Sequence, residues 1–563
     1  MCTNKLIINY LVEVCLKKGI DYLITSPGSR NAPIIIAFNK SEKIKCLSIS
    51  DERSAAFFAL GIAQQTNKTV ALACTSGTAV LNYAPAIAEA YYQKVPLLIL
   101  TADRPEEWTD QGDGQTIRQK NIFNNYIKKD YQLPLELIHE DDIWHLCRII
   151  SEAINLTTYP DSGPVHINIP LREPLYNQKN VLKGLKPKII DIVAPEFKIK
   201  DEEIKKLLKV WNGYKKILIL TGTLNKNDKL NELLNELSKK NSVVIITETT
   251  SNLYGKNYFC CIDKLISNMP EDEQDKFRPE LLITLGGNVI SKKIKALLRN
   301  KLPDEHWHIS PNNLHIDTYQ ALTKNICVNP SCFFDEIIKS SENNSSDYYS
   351  DISEIRNKRE LNHKKFLEKA PYSDLKVFEL ILKNIPDNSN LQLANSTPVR
   401  YTQLFQPYKN LNYYSNRGTS GIDGCLSTAI GASYVNPTPI TLIIGDIAFF
   451  YDSNGLWNNY INSNFRIILI NNSGGNIFRI IDGPDKTDEL ETYFEANQNI
   501  SAKGISETFN LNYYSADNFI DIENVLGEFY NYKNNKPAIL EIKTPNKINA
   551  KVLKEYFTFL NKT

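Results

Sequence analysis

The 563-residue chain has ten cysteines but no CxxC pair, and its seven histidines show no metal-ligand spacing. That excludes zinc frameworks and disulfide scaffolds, so any metal chemistry must use oxygen ligands. Cysteines such as Cys74 in "VALACTS" sit inside apolar runs, the pattern of reduced thiols in a cytoplasmic protein. Net charge is nearly absent as well: 65 Lys and Arg against 64 Asp and Glu leave +1. Such a balance argues against a general nucleic-acid or membrane-surface role and leaves room only for local basic pockets. No apolar run approaches the length that spans a bilayer, so no stable membrane insertion is expected. The opening "MCTNKLIINYLVEVCLKKG" reads as an amphipathic helix, without the apolar core and small-residue cleavage site of a signal peptide.

Short β-rich runs alternate with helical segments almost throughout. "VALAC", "VPLLILTAD", "VHINIP", "KILILTG", "SVVIITET", "LLITLGG", "NLQLANS", "ITLIIGD", "RIILINN" and "AILEIKTP" predict strands apolar on both faces, and hence parallel sheets covered by helices. The class is α/β. Two stretches read as linkers: 176–198, where Pro and Lys break the periodicity, and the polar "SSENNSSDYYSD" at 340–351. They divide the chain into 1–180, 195–340 and 352–563, each expected to be a doubly wound parallel sheet.

Chemistry is densest between Ile443 and Gly475. A strand ends at Gly445-Asp446, a helix of about two to three turns is expected, and a second strand ends at Asn471-Asn472. In a right-handed βαβ unit these ends lie side by side. Asp446 and Asn472, 26 residues apart, then converge with the Gly474-Gly475 turn. One carboxylate, one amide oxygen and a main-chain carbonyl suit a hard divalent ion carrying a diphosphate. In "SISDERSAAFFALGIAQ", Asp51 reads as a helix cap, and Glu52 reads either as a carboxylate welcomed by the first turn or as a buried acid with a partner to protonate. Arg30, Arg104, Arg400 and Arg417 stand in turn-like motifs at strand ends; together they suggest anion recognition.

The Gly-Asp and Asn-Asn pair resembles the signature of thiamine diphosphate enzymes of the decarboxylase and acetohydroxyacid synthase superfamily. "SPGSRNAP", "TSGTAVLNYAPAIAEAYY", "LTADRP", "GPVHINIPLREPLY" and "SNRGTSGIDGCLSTAIG" resemble more narrowly the 2-succinyl-5-enolpyruvyl-6-hydroxy-3-cyclohexene-1-carboxylate synthase family of menaquinone biosynthesis. The resemblance implies an aminopyrimidine-binding first domain, a central domain, and a third domain for the diphosphate. It implies thiamine diphosphate with Mg2+ (or Mn2+), the substrates 2-oxoglutarate and isochorismate, and a homodimer, possibly paired into a tetramer.

Residue by residue, the resemblance makes Glu52 the catalytic acid, kept neutral by burial against Phe57, Phe58 and the cofactor ring. Thr78, Ile422, Gly445, Asp446, Asn472, Gly474, Ile477 and Phe478 would bind cofactor, with Asp446, Asn472 and Gly474 on the metal. Ser29, Arg30, Arg104, Gln115, Lys292, Lys293, Ser396, Arg400 and Arg417 would bind substrate. Ala448 and Lys293 depart from the family's usual serine and arginine. The alternatives are another 2-oxo acid decarboxylase or acetohydroxyacid-synthase-like enzyme, and a non-catalytic cofactor-binding regulator. The cationic residues argue against small apolar acceptors, and the joint presence of Glu52, Asp446 and Asn472 argues against the regulator.

Overall fold

A computed structural model describes residues 2–179, 184–195, 197–408, 410–481 and 483–562. It contains three parallel sheets flanked by helices. The first orders its strands Lys45–Ser48, Tyr22–Thr25, Val70–Cys74, Leu97–Asp103, Val165–Pro170 and Asp130–Gln132. The third orders them Asn412–Tyr414, Asn390–Leu393, Ile440–Gly445, Phe465–Asn471, Ala538–Lys543 and Asn512–Ala516. Numbered within each sheet, both orders are 2-1-3-4-6-5. The five-stranded central sheet runs Val243–Thr247, Ile217–Thr221, Leu281–Leu285, Glu305–Ile309 and Leu322–Ile326. In such folds ligands bind beyond the carboxyl ends of the strands, where the order reverses.

All ten expected strands form, trimmed by a residue or more where the quoted run continues into a Gly, Asp or Pro turn. The unexpected strands are mostly edges, such as Lys45–Ser48 and Asp130–Gln132, where one partner and exposed residues remove the need for a continuous apolar run. The amino-terminal helix forms over Leu6–Lys17, and Cys2–Thr3 before it pairs antiparallel with Gln178–Lys179. The stretch 176–198 lies partly outside the described residues. The second polar stretch is linker only to residue 347: the helix Tyr348–Lys369 starts inside it. Tyr348, Ile352 and Ile355 pack on the central sheet's core, and the Tyr348 hydroxyl donates to the Phe277 carbonyl. Among the described residues no helix is long and apolar enough to cross a membrane.

The first and third sheets share one hydrophobic core, built where the helix Glu52–Thr66 crosses the helix Cys425–Val435. Two glycines set the separation. A Cβ on Gly61 would strike the Thr428 carbonyl, and one on Gly431 the Phe58 carbonyl. Phe58 also meets Tyr434 and Tyr460 at ring-centroid distances of 5.9 and 6.3 Å. Small residues at this crossing let backbones approach, and the flanking rings fill the space beside them.

Overpacking a closed contact costs about 1–3 kcal/mol. Gly431→Ala is therefore expected to lower the thermal midpoint by several degrees while leaving far-ultraviolet circular dichroism intact. An unchanged midpoint would show that the helices are free to separate.

Candidate active site

The carboxyl edge of the first sheet gathers the residues assigned to its half of the site. Ser29 and Arg30 follow the strand ending at Thr25, Glu52 the one ending at Ser48, Thr78 the one ending at Cys74, and Arg104 the one ending at Asp103. Asp51 caps its helix as expected, accepting from the Arg53 and Ser54 amides at 2.9 and 3.3 Å. Its other oxygen accepts from Asn454 Nδ2 at 2.9 Å, and Arg53 donates to the Tyr451 carbonyl at 2.8 Å. The start of the Glu52 helix thus rests on residues just beyond the Asp446 helix of the same chain.

The surroundings of Glu52 differ from expectation. Phe57 and Phe58 face the shared core, with Phe57 packed under Gly424. The groups that feel the Glu52 charge are instead the buried Cys74 thiol and Tyr83 hydroxyl, both pushed up in pKa chiefly by burial and further by Glu52.

At the third sheet, Asp446 opens the helix Asp446–Tyr451, only six residues long. The helix is shorter than expected because Asp452 turns inward to accept from the Ser427 amide and hydroxyl at 2.7 and 2.9 Å. Asp446 accepts from the Gly474 amide at 2.8 Å and the Ile447 amide at 2.7 Å. Burial pushes its pKa up to about 7, and the nearby Asp374 adds to the shift. Gly474 sits at φ +153°, and a Cβ there would press on the Glu495 carbonyl.

Asn472 donates to Asp374 Oδ2 at 3.1 Å, while its own Oδ1 is buried without a partner. An orphaned amide oxygen beside a buried carboxylate is a pair of donors that suits a cation. Among the described residues no cluster of three His, Cys, Asp or Glu side chains offers a competing metal site. The donor set therefore fits a hard divalent ion.

Asp374 was not legible in the sequence. It begins the helix Asp374–Lys383, is fully buried, and also accepts from Thr544 Oγ1 at 2.6 Å. Burial raises its pKa to about 6. With one oxygen held by Thr544 Oγ1 and the other accepting from Asn472 Nδ2, it fixes which way Asn472 points, the role a carboxylate commonly has behind a metal ligand.

The arginines fall into two groups. Arg30 donates to the Leu171 carbonyl at 2.9 Å and pairs with Glu173, while Arg104 pairs with Asp113 at 2.9 Å. Burial first, and the neighbouring Arg104 second, lower the Arg30 pKa. Gln115 takes φ +55°, its backbone against Gly77 just before Thr78. In the third sheet's loops Ser396 takes φ +74°, a strained value of the kind found at binding sites. Arg400 and Arg417 lie close enough that Arg400 helps lower the Arg417 pKa, after burial. Arg417 is 9% exposed and donates to Asn395 Oδ1 at 2.8 Å, leaving its Nε buried and unpartnered.

Ile422 packs partly on the shared core; Ile477 and Phe478 follow the Gly474-Gly475 turn, with Phe478 against Phe494 at 5.6 Å. The central-domain lysines are placed differently from expectation. Lys292 is exposed, and Lys293 lies over the Phe557 ring and donates to Ser267 Oγ at 2.5 Å. It is Lys295, two positions on, that faces Arg417, Arg400 and Glu248. Lys295 and Arg417 both line a cavity of about 470 Å³ between the first and central sheets.

Comparison with known proteins places this geometry. Residues 7–122 match the family described as "Thiamine pyrophosphate enzyme, N-terminal TPP binding domain", 196–393 the "Middle domain of thiamine pyrophosphate", and 396–542 "Thiamine pyrophosphate enzyme, C-terminal TPP binding domain". The 2-succinyl-5-enolpyruvyl-6-hydroxy-3-cyclohexene-1-carboxylate synthases of Flavobacterium johnsoniae and Christiangramia forsetii are each 44% identical to the chain. The matches cover 97% and 98% of both partners, respectively. That of Porphyromonas gingivalis is 39% identical over 98% of this chain and 97% of its own. The chain belongs to this synthase family. It is a thiamine diphosphate enzyme, and the two carboxyl edges described above lie in the matched N-terminal and C-terminal TPP-binding segments. Ala448 falls inside the short helix that Asp446 opens.

Two predictions follow from the Asp446, Asn472 and Asp374 group. Loss of a partner behind a metal ligand typically costs about 10–100-fold in metal affinity. Asp374→Asn is therefore expected to raise the half-saturating Mg2+ concentration by roughly that factor, read by calorimetry with thiamine diphosphate present. An unchanged value would remove Asp374 from the site. The second concerns pH. Asp446 binds its proton more tightly folded than unfolded, so without cation it withdraws stability as pH rises from 3.8 to about 7. Ionised carboxylate is the cation-binding form. Mg2+ affinity should thus climb between pH 6 and 8, and stabilisation by Mg2+ with it; a flat profile would contradict the assignment.

Proposed function

We propose that this chain is the transferase that decarboxylates 2-oxoglutarate and transfers the succinyl carbanion equivalent to isochorismate, giving 2-succinyl-5-enolpyruvyl-6-hydroxy-3-cyclohexene-1-carboxylate. Both substrates are dicarboxylates. The observation that carries the reading is the buried Arg417, whose Nε is uncommitted and which stands beside Arg400. A desolvated guanidinium with a free donor favours a carboxylate far more than a small neutral acceptor.

Thiamine diphosphate supplies the carbanion chemistry when bound. Asp446, Asn472 and the Gly474 main chain would hold Mg2+ (or Mn2+), with Gly445, Thr78, Ile477 and Phe478 around the cofactor and Ile422 as its apolar support. Glu52 would hold the proton at the pyrimidine N1′. Ser29, Arg30, Arg104 and Gln115 on the first edge, and Ser396, Arg400 and Arg417 on the third, would orient the carboxylates. Lys292 and Lys293 would need to leave their present positions to join them. Residues 1–180 would serve the aminopyrimidine, 352–563 the diphosphate, and 195–340 would join them as the central domain.

We further propose a homodimer in the cytoplasm, or a tetramer built from two such dimers, with each cofactor between the first domain of one chain and the third of its partner. Exposed Leu81, Tyr451 and Trp457, close in sequence to the two edges, support a covering partner. Cys15, Cys74, Cys147 and Cys425 are buried as free thiols, as suits a reducing compartment.

Incubation with 2-oxoglutarate, isochorismate, thiamine diphosphate and Mg2+ should give the succinyl adduct, detected by mass. Turnover of pyruvate in place of 2-oxoglutarate would contradict the reading. Glu52→Gln and Asp446→Ala should each abolish turnover, and mixing the refolded variants should restore about a quarter of wild-type activity if sites are shared across a two-fold dimer. No recovery would refute the shared site.

A further inference from the structure

The loop that carries Arg417 is held from behind by two buried glutamates, neither assigned a role above. Glu89, from the first domain's helix Ala84–Gln93, accepts from the Gly418 amide at 2.6 Å. It also accepts from the Thr419 amide and hydroxyl, both at 2.7 Å. Gly418 lies so close that a Cβ would strike the Glu89 carbonyl.

Glu248, at the end of the central strand Val243–Thr247, accepts from the Ile290 amide at 2.7 and 2.8 Å and from the Ser291 amide at 2.8 Å. Those amides begin the segment leading into the helix Lys292–Asn300, which carries Lys295. From the same segment Asn288 donates to the Arg417 and Gly418 carbonyls at 2.9 and 3.2 Å. The Ile290 carbonyl in turn accepts from Arg400 at 3.4 Å.

Both carboxylates therefore spend their oxygens on main-chain N–H groups and, for Glu89, on the Thr419 hydroxyl as well. They oppose the pKa depression that burial and Arg400 impose on Arg417, although burial also pushes Glu248 up to about 7. Neither occupies the donors of the buried cation. A direct ion pair would stabilise Arg417 equally well but would compete with a substrate carboxylate for the guanidinium edge.

We infer that Glu89 and Glu248 are positioning residues that hold Arg417 oriented beside Arg400, with its Nε uncommitted, for a dicarboxylate ligand. The inference rests on the substrate reading above and adds to it how the first and central domains shape the third domain's anion site.

The test measures binding of glutarate, an unreactive dicarboxylate, to the holoenzyme by calorimetry, alongside the affinity for thiamine diphosphate and the thermal midpoint. Glu89→Gln and Glu248→Gln keep size but replace one acceptor with a donor and remove the charge. Each should weaken glutarate about ten-fold or more, the scale of a lost charge-assisted hydrogen bond. Cofactor affinity should stay within two-fold, and KM for 2-oxoglutarate should rise more than kcat falls. If Glu248→Gln fails to fold, Asn288→Ala reads the same segment.

Glutarate affinity unchanged in every variant, or cofactor affinity falling in parallel, would overturn the inference. Should the wild-type holoenzyme bind no glutarate, the substrate reading fails on its own. Hydrogen exchange at the Gly418 and Thr419 amides still decides the clamp: it should accelerate in Glu89→Gln, and identical exchange would refute it.

Discussion

Everything about the site depends on the crossing of the Glu52–Thr66 and Cys425–Val435 helices. Their approach is set by Gly61 and Gly431, where backbone meets backbone. The two sheets behind them have the same strand order, so each presents a carboxyl edge with loops at its own switch point. Fixing the helices fixes how the edges lie. Asp51 and Arg53 at one end bind the segment just after the Asp446 helix, which ties the Glu52 turn to the neighbourhood of the diphosphate half.

A second constraint is electrostatic. The chain is almost neutral, yet its third sheet buries Asp374, Asp446, Arg417 and, against them, Glu89 and Glu248. Buried charge is costly unless hydrogen-bonded. Here Asp374, Glu89 and Glu248 place their oxygens on main-chain, hydroxyl and amide donors, whereas two groups proposed to meet ligands keep an atom unpartnered: Asn472 Oδ1 and Arg417 Nε. The fold satisfies the supporting shell internally and leaves the ligand-facing atoms for what binds.

How far this was legible in the sequence follows from what each feature must satisfy. Strands buried on both faces need continuous apolar side chains, so runs such as "VALAC" and "KILILTG" declared themselves. Glu305–Ile309 did not, because His306 and His308 break the run; in the fold His306 Nε2 and His308 Nδ1 meet Thr284 Oγ1 at 2.8 and 3.0 Å. Asp446 and Asn472 were legible because polar residues closing apolar strands have a defined place in βαβ units. Asp374 was not, since a lone aspartate at a helix start has an ordinary capping role. Lys295 was hidden by helical phase: two residues along a helix turn a side chain about 200°, so Lys293 faces Phe557 while Lys295 faces the arginines. Phe57 and Phe58 lie on the part of their helix that is buried against Cys425–Val435.

The central claim is that a carboxyl from the first sheet and an oxygen-ligated cation on the third serve opposite ends of one coenzyme. A crystal structure with thiamine diphosphate and Mg2+ tests it directly. The account predicts Glu52 within hydrogen-bonding reach of the pyrimidine ring of a cofactor whose diphosphate is held, through the ion, by Asp446 and Asn472. A cofactor whose pyrimidine lies beyond the reach of position 52 from every subunit, or whose ion sits away from Asn472 Oδ1, would contradict it.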